Sequence, residues 1–183
     1  TGAKVEAIVP GKTEAVTVRL SNGQQLEADL VISATGVKPN IGFLKDSGIT
    51  CLPGVLTDEH LQTNVPGIYA AGDCAEAFDT VSGTTIVSAI QPNAAEQARI
   101  AALNMVGQDA TLKGVTQINV LDTLGLISTS FGLWQGVPGG EQVQLTTADR
   151  HLSLQFNGDV MVGCNSVGWT EHVGVMRGLV EGR

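Results

Sequence analysis

The sequence predicts an α/β layer followed by an α+β module with an antiparallel sheet. Three observations carry that expectation. Two apolar runs without alternation, residues 29–36 closed by Gly36 and residues 67–73 closed by Gly72 and Asp73, read as strands covered on both faces. Residues 91–106 carry a helical stripe of small side chains, and residues 111–183 break into short apolar runs between turn signals before a terminal amphipathic segment.

Along the chain, Val5, Ile8 and Val9, then Val16, Val18 and Leu20 alternating with Thr17 and Arg19, then Leu26, predict strands. Asn22-Gly23 predicts a two-residue hairpin turn, because both positions tolerate the positive φ that such a turn needs. Leu30 to Ile32 continues as an interior strand, and Pro39 turns the chain by fixing its own φ and extending Lys38. The run that ends at Asp73 is the second interior strand, and ligands of α/β sheets sit at such strand ends.

Ala94, Ala98, Ala101, Ala102 and Met105 recur at three and four residues, which predicts a helix that packs closely on a sheet and stops at Gly107. Ser88, three residues before Gln91, offers a capping box, whereas Pro92 suits the first helical position. Further on, runs at 118–121, 124–127, 143–145, 151–156 and 160–163, the last two about Asn157-Gly158, predict a meander. A helix from about Thr170 follows, with Val173, Met176, Leu179 and Val180 on one face.

Composition narrows the function classes. The 183 residues hold 18 Asp plus Glu against 10 Lys plus Arg, a formal charge of −8, with only 4 % aromatic residues. That leaves neither a basic footprint for a phosphate backbone nor a row of stacking rings, so nucleic acid is not the expected partner. No stretch approaches the ~20 uncharged apolar residues of a spanning helix, so no membrane partner is expected. Cys51, Cys74 and Cys164 are separated by 22 and 89 residues, which fits neither a redox pair nor a zinc site. They read as free thiols of a reducing, cytoplasmic compartment. No His, Asp or Glu spacing predicts a metal, and no catalytic residue is assigned. Trp134 and Trp169 are expected to anchor a core or an interface.

The motifs with most information form a linked set. Ala34-Thr35-Gly36 is followed by Pro39-Asn40, then Thr57-Asp58, then the segment from Gln62 to Asp73, then the helix with Gln97 and Arg99. This set resembles the C-terminal half of the FAD-dependent pyridine nucleotide-disulfide oxidoreductases, the family of NADH oxidases, rubredoxin reductases and the reductase part of nitrite reductases. The resemblance is specific over residues 1 to about 110 and looser beyond.

What the resemblance implies can be stated residue by residue. Asp73 would accept hydrogen bonds from the ribityl hydroxyls of FAD, with charge-assisted bonds of about 1.5 to 3 kcal/mol each. Gly72 would let the main chain approach without a Cβ. Ala89, Ile90 and Gln91, at the helix start, would face the flavin ring where reduction places negative charge. Gly36 would lie near NAD(P)H. Cys74 is expected to be a structural thiol, since the reactive cysteine of such proteins belongs to an upstream segment. His172 lacks the His-Pro pattern of a C-terminal acid–base pair and reads as a helix-start residue.

A dinucleotide fold needs a Gly-rich turn after its first strand, and no GxGxxG occurs; residues 131–140 are glycine-dense in the wrong order. The expectation is therefore a fragment: residues 1–36 ending an NAD(P)-binding domain, 37–110 returning to an FAD-binding domain, and 111–183 a C-terminal interface domain. The strand character of Ala3 to Val9 places the natural N-terminus upstream. The whole protein would pass hydride from NAD(P)H to FAD and electrons to a small molecule or small redox protein. It would be a homodimer, and the fragment alone would be inactive. The alternative is a non-catalytic dimerisation or protein-interaction module.

Overall fold

The computed structural model describes residues 2–11 and 16–182. Its contacts divide the chain into two compact units, Thr1–Val37 and Lys38–Arg183.

In the first unit, β1 (Val5–Pro10), β2 (Val16–Leu20) and β3 (Gln25–Ala28) form an antiparallel sheet in the order β1-β2-β3. The Thr17 hydroxyl ties β2 to β3 by donating to Glu27 Oε1 at 2.7 Å. The β2–β3 turn differs from the expected two-residue form. Of its residues only Gly23 has positive φ, at 83°. Leu20 donates to the Gln24 carbonyl at 2.9 Å and accepts from the Gly23 N–H at 2.9 Å. This is the three-residue loop in which a glycine bulge closes an ordinary turn, so Asn22 keeps negative φ.

The expected interior strand at 29–36 does not form. Residues 30–37 carry no ladder, and Leu30, Ile32 and Val37 are 74, 79 and 81 % exposed. The cause is the want of a neighbour, because a strand exists only where another backbone accepts and donates, and no described residue does so here.

The second unit holds two sheets and two helices among the described residues. β4 (Val55–Leu56) runs parallel to β5 (Ala75–Phe78), which pairs antiparallel with β6 (Thr85–Val87). The run expected as a second interior strand is extended but makes a single bridge, Gln62 to Tyr69, before a one-turn 3₁₀ helix, Gly72–Cys74, leads into β5. Tyr69 and Ala71 instead pack against a core of Leu61, Ile100 and Ala101.

Helix α1 (Gln91–Met105) starts at Gln91, with Pro92 next. The capping box is absent: Ile90 is the N-cap residue, and the Ser88 hydroxyl accepts from the Asn93 amide at 2.7 Å instead. At its end, Gly107 (φ 79°) donates to the Asn104 carbonyl and Gln108 to the Leu103 carbonyl, the paired bonds of a Schellman stop. The buried stripe is Gln97, Ile100 and Ala101, while Ala98, Ala102 and Met105 face solvent. Alanine is small enough to sit on either side of a helix, so its spacing did not identify the inner face. That inner face meets Leu61 and the 3₁₀ turn, not a sheet.

The remaining strands are β7 (Ile118–Thr123), β8 (Leu126–Gly132), β9 (Glu141–Thr146), β10 (His151–Asn157) and β11 (Val160–Val167), in the order β7-β8-β11-β10-β9. All pairs are antiparallel. Leu124-Gly125, with φ of 54° and 84°, and Gly158-Asp159 make its tight turns. Helix α2 (Val173–Val180) lays Met176 and Val180 on Phe131, Met161 and Cys164. It begins at Val173 rather than Thr170, with His172 as N-cap residue, and Leu179 is 56 % exposed, off the buried stripe. Trp169 is half-buried, with the Arg150 guanidinium 5.6 Å from its ring centre. No helix among the described residues is long and apolar enough to cross a membrane.

Candidate functional site

The second unit brings Gly72 and Asp73 together with the first turns of α1. Gly72 has φ 80°, a conformation that side chains resist, and a Cβ there would lie 3.5 Å from that of Ala94. Space alone would admit an alanine; the backbone conformation is what calls for glycine. The Gly72 N–H donates to Gln97 Oε1 at 2.7 Å, so one side chain of α1 holds the turn that precedes Asp73.

Asp73 is exposed, and no hydrogen bond or ion pair engages its carboxylate among the described residues. A carboxylate with open lone pairs can accept polyol hydroxyls. Beside it, Cys74 is exposed, and its thiol donates to the Ala71 carbonyl at 3.5 Å.

The start of α1 is equally open. No side chain caps it, its first turn holds no acid, and Pro92 has no N–H. The Ile90 N–H is satisfied by the Ser88 carbonyl at 2.9 Å, and the Asn93 amide is spent on Ser88 and, at 3.0 Å, on the Thr116 carbonyl. The first turn of the helix thus carries no carboxylate of its own, and negative charge placed at its start gains about 0.3–1 kcal/mol. Ala89 and Ile90 line a cavity of about 380 Å³ with residues 86–88 and 117–119, and Gln91 is the exposed first residue of the helix.

These residues fit the flavin that the sequence resemblance implies. The free carboxylate matches a chain of hydroxyl donors, the positive-φ glycine keeps the backbone close, and the uncapped helix start suits a group that gains negative charge on reduction. Gly36 belongs to the first unit, where it has φ 84° and open space around a Cβ position.

Two contributors were not assigned from the sequence. Gln97, which belongs to the linked motif set but was given no role there, is fully buried at 0 % exposure. Its Nε2 has no hydrogen-bond partner. Glu76, 3 % exposed, accepts the Gly54 N–H and the Thr85 hydroxyl, each at 2.9 Å, and so ties β5 to the loop before β4 and to β6. Only its odd position in an apolar strand hinted at an interior role.

The family model for pyridine nucleotide-disulphide oxidoreductases matches residues 1–101. The chain is 31 % identical over 183 aligned positions to an NADH oxidase of Methanocaldococcus jannaschii, covering 86 % of this chain and 38 % of that protein. It is 49 % identical over 78 residues to a rubredoxin-NAD(+) reductase of Acinetobacter baylyi, covering 43 % of this chain and 19 % of that one. The fold matches an NAD-dependent persulfide reductase from A. fulgidus with a TM-score of 0.83 at 24 % identity, over 100 % of this chain and 38 % of that chain. The chain therefore spans well under half the length of these relatives.

Proposed function

Because the chain belongs to the pyridine nucleotide-disulphide oxidoreductase family, we propose that it forms the cofactor-holding C-terminal part of a flavoprotein that oxidises NAD(P)H. Bound FAD would supply hydride acceptance from the nicotinamide and one- or two-electron release. The residues of this chain do the holding. Asp73 accepts ribityl hydroxyls, Gly72 gives the backbone its close approach, and Ala89, Ile90 and Gln91 present the positive end of α1 to the flavin ring. The observation that carries this reading is the exposed, unengaged Asp73 carboxylate on a turn packed against an uncapped helix start.

The division of labour follows the expectation from sequence: 1–36 ends an NAD(P)-binding domain and places Gly36 near the nicotinamide dinucleotide, 37–110 completes an FAD-binding domain, and 111–183 forms a dimer interface. These 183 residues contain no GxGxxG turn for a pyrophosphate, so alone they bind FAD weakly and transfer no hydride. The whole protein delivers electrons to a small molecule or a small redox protein; the rubredoxin reductase similarity supports the second class. Three free thiols support a cytoplasmic setting.

The test is Asp73→Ala in the full-length flavoprotein, with bound FAD measured by absorbance after desalting. The affinity for FAD should fall at least tenfold, as loss of one charge-assisted bond implies, and the flavin retained through desalting should fall with it. Full retention of flavin would instead favour a non-catalytic interaction module.

A further inference from the structure

We infer that Gln97 is a positioning residue for the flavin, acting through Gly72 rather than on the cofactor itself. The inference rests on the assignment of Asp73 to flavin binding. Three observations support it.

First, the amide orientation is fixed by chemistry. The Gly72 N–H is only a donor, so the Gln97 atom 2.7 Å away must be the carbonyl oxygen. Second, that bond falls on the one backbone position of the turn with positive φ, 80°, immediately before Asp73. Rotation of this peptide swings the Asp73 carboxylate, and an acceptor at its N–H suppresses that rotation. The 3₁₀ turn is only three residues long and has no side-chain cap; the Ala75 N–H holds the Gly72 carbonyl, which leaves the Gly72 N–H to Gln97.

Third, Gln97 is costly where it stands. The residue is fully buried, and its Nε2 donor is left without a partner. A leucine or methionine would fill the same space among Ile100, Ala101 and their neighbours without an idle polar group. The amide is therefore not explained by packing; its oxygen is the half with a function. This separates two roles that a simple truncation would confuse. Where the oxygen matters, glutamate should substitute and leucine should not. Where only the volume matters, leucine should substitute and glutamate should fail.

The experiment uses the full-length flavoprotein, stripped of FAD and titrated with it at pH 6 by flavin fluorescence, with the thermal midpoint of each apoprotein measured in parallel. Gln97→Leu should weaken FAD binding about tenfold while its apoprotein melts at or above the wild-type temperature. Gln97→Glu, held neutral by burial at this pH, should bind FAD within about threefold of wild type. Leucine binding FAD as wild type does, or glutamate binding as poorly as leucine, would overturn the inference. Gln97→Met is the second apolar variant; if neither it nor Gln97→Leu yields folded apoprotein, Gln97 is a structural residue and the inference also fails. Asp73→Ala, run alongside, separates the two claims. Flavin lost by Asp73→Ala but kept by Gln97→Leu removes this inference alone, whereas flavin kept by Asp73→Ala removes the site assignment beneath it.

Discussion

Glu76 and Gly54 meet inside the second unit, where the Glu76 carboxylate accepts the Gly54 N–H at 2.9 Å and leaves no room beside it. A Cβ on Gly54 would come 2.7 Å from Val87 and 2.9 Å from the Cys74 carbonyl. Glu76 stands in β5, the strand into which the Gly72–Cys74 turn runs, so this contact anchors that strand. Glu76→Ala strands a buried N–H and hydroxyl and should cost about 2–4 kcal/mol, read from the urea midpoint. Glu76→Gln should cost less than about 1.5 kcal/mol, because its oxygen can keep Gly54 while its N–H₂ donates to Thr85.

Leu124 occupies the first position of the β7–β8 turn with φ 54° and is wholly exposed. A branched side chain resists this conformation, and nothing is gained by burial. Leu124→Asn should raise stability by about 0.5–1 kcal/mol, visible as a higher thermal midpoint. An unchanged or lower midpoint would show that the leucine has another purpose.

His60 joins two loops. Its Nδ1 lies 3.0 Å from the Ala110 carbonyl and 3.4 Å from Asp109, while Asn104 donates to both the His60 and Ala110 carbonyls. The hydrogen bond to the Ala110 carbonyl, aided by Asp109, Asp58 and Glu59, raises its pKa above 6.5. The folded form thus holds the proton more tightly than the unfolded chain does. This stabilisation is complete below pH 6.5 and is lost as pH rises through the folded value. Thermal midpoints from pH 5.5 to about 8 should show wild type ahead of His60→Gln at the acidic end, with the gap narrowing on the basic side.

The three thiols should differ in reactivity. Cys164 is fully buried against Met176, and burial pushes its pKa up to about 11. Cys74 is exposed and Cys51 half-buried. Alkylation at pH 8 followed by mass mapping should label Cys74 first and Cys51 more slowly, with Cys164 labelled only after unfolding.

Hairpins were legible where alternation and a turn residue coincided, as at β10–β11, because both signals are local. The run at 29–36 was not, since an apolar strand states that it wants covering on both faces, while the cover is a matter of tertiary neighbours. Residues 67–73 show the same limit in milder form: Tyr69 and Ala71 do find a core, but against α1 and Leu61 rather than in a ladder. At the candidate site, the exposure of Asp73 follows from its place at the end of an apolar run. Gln97 stood out in the motif set, but its role did not, because a buried amide is explained only by the N–H it faces, 25 residues away. Leu61 is a further case: it lies at φ 61° and 0 % exposure, and no local pattern marks a leucine for that conformation.

The unladdered stretch from Leu30 to Asn40 has a practical consequence for anyone handling the protein. Proteases bind their substrates as extended chain with free amides and carbonyls, and this stretch offers both beside apolar side chains, which suits a broad-specificity protease such as subtilisin; trypsin is blocked at Lys38 by the proline that follows it. Brief digestion should cut there first, and the larger product should retain α1, β4 to β11 and α2 as one soluble piece for crystallisation or spectroscopy.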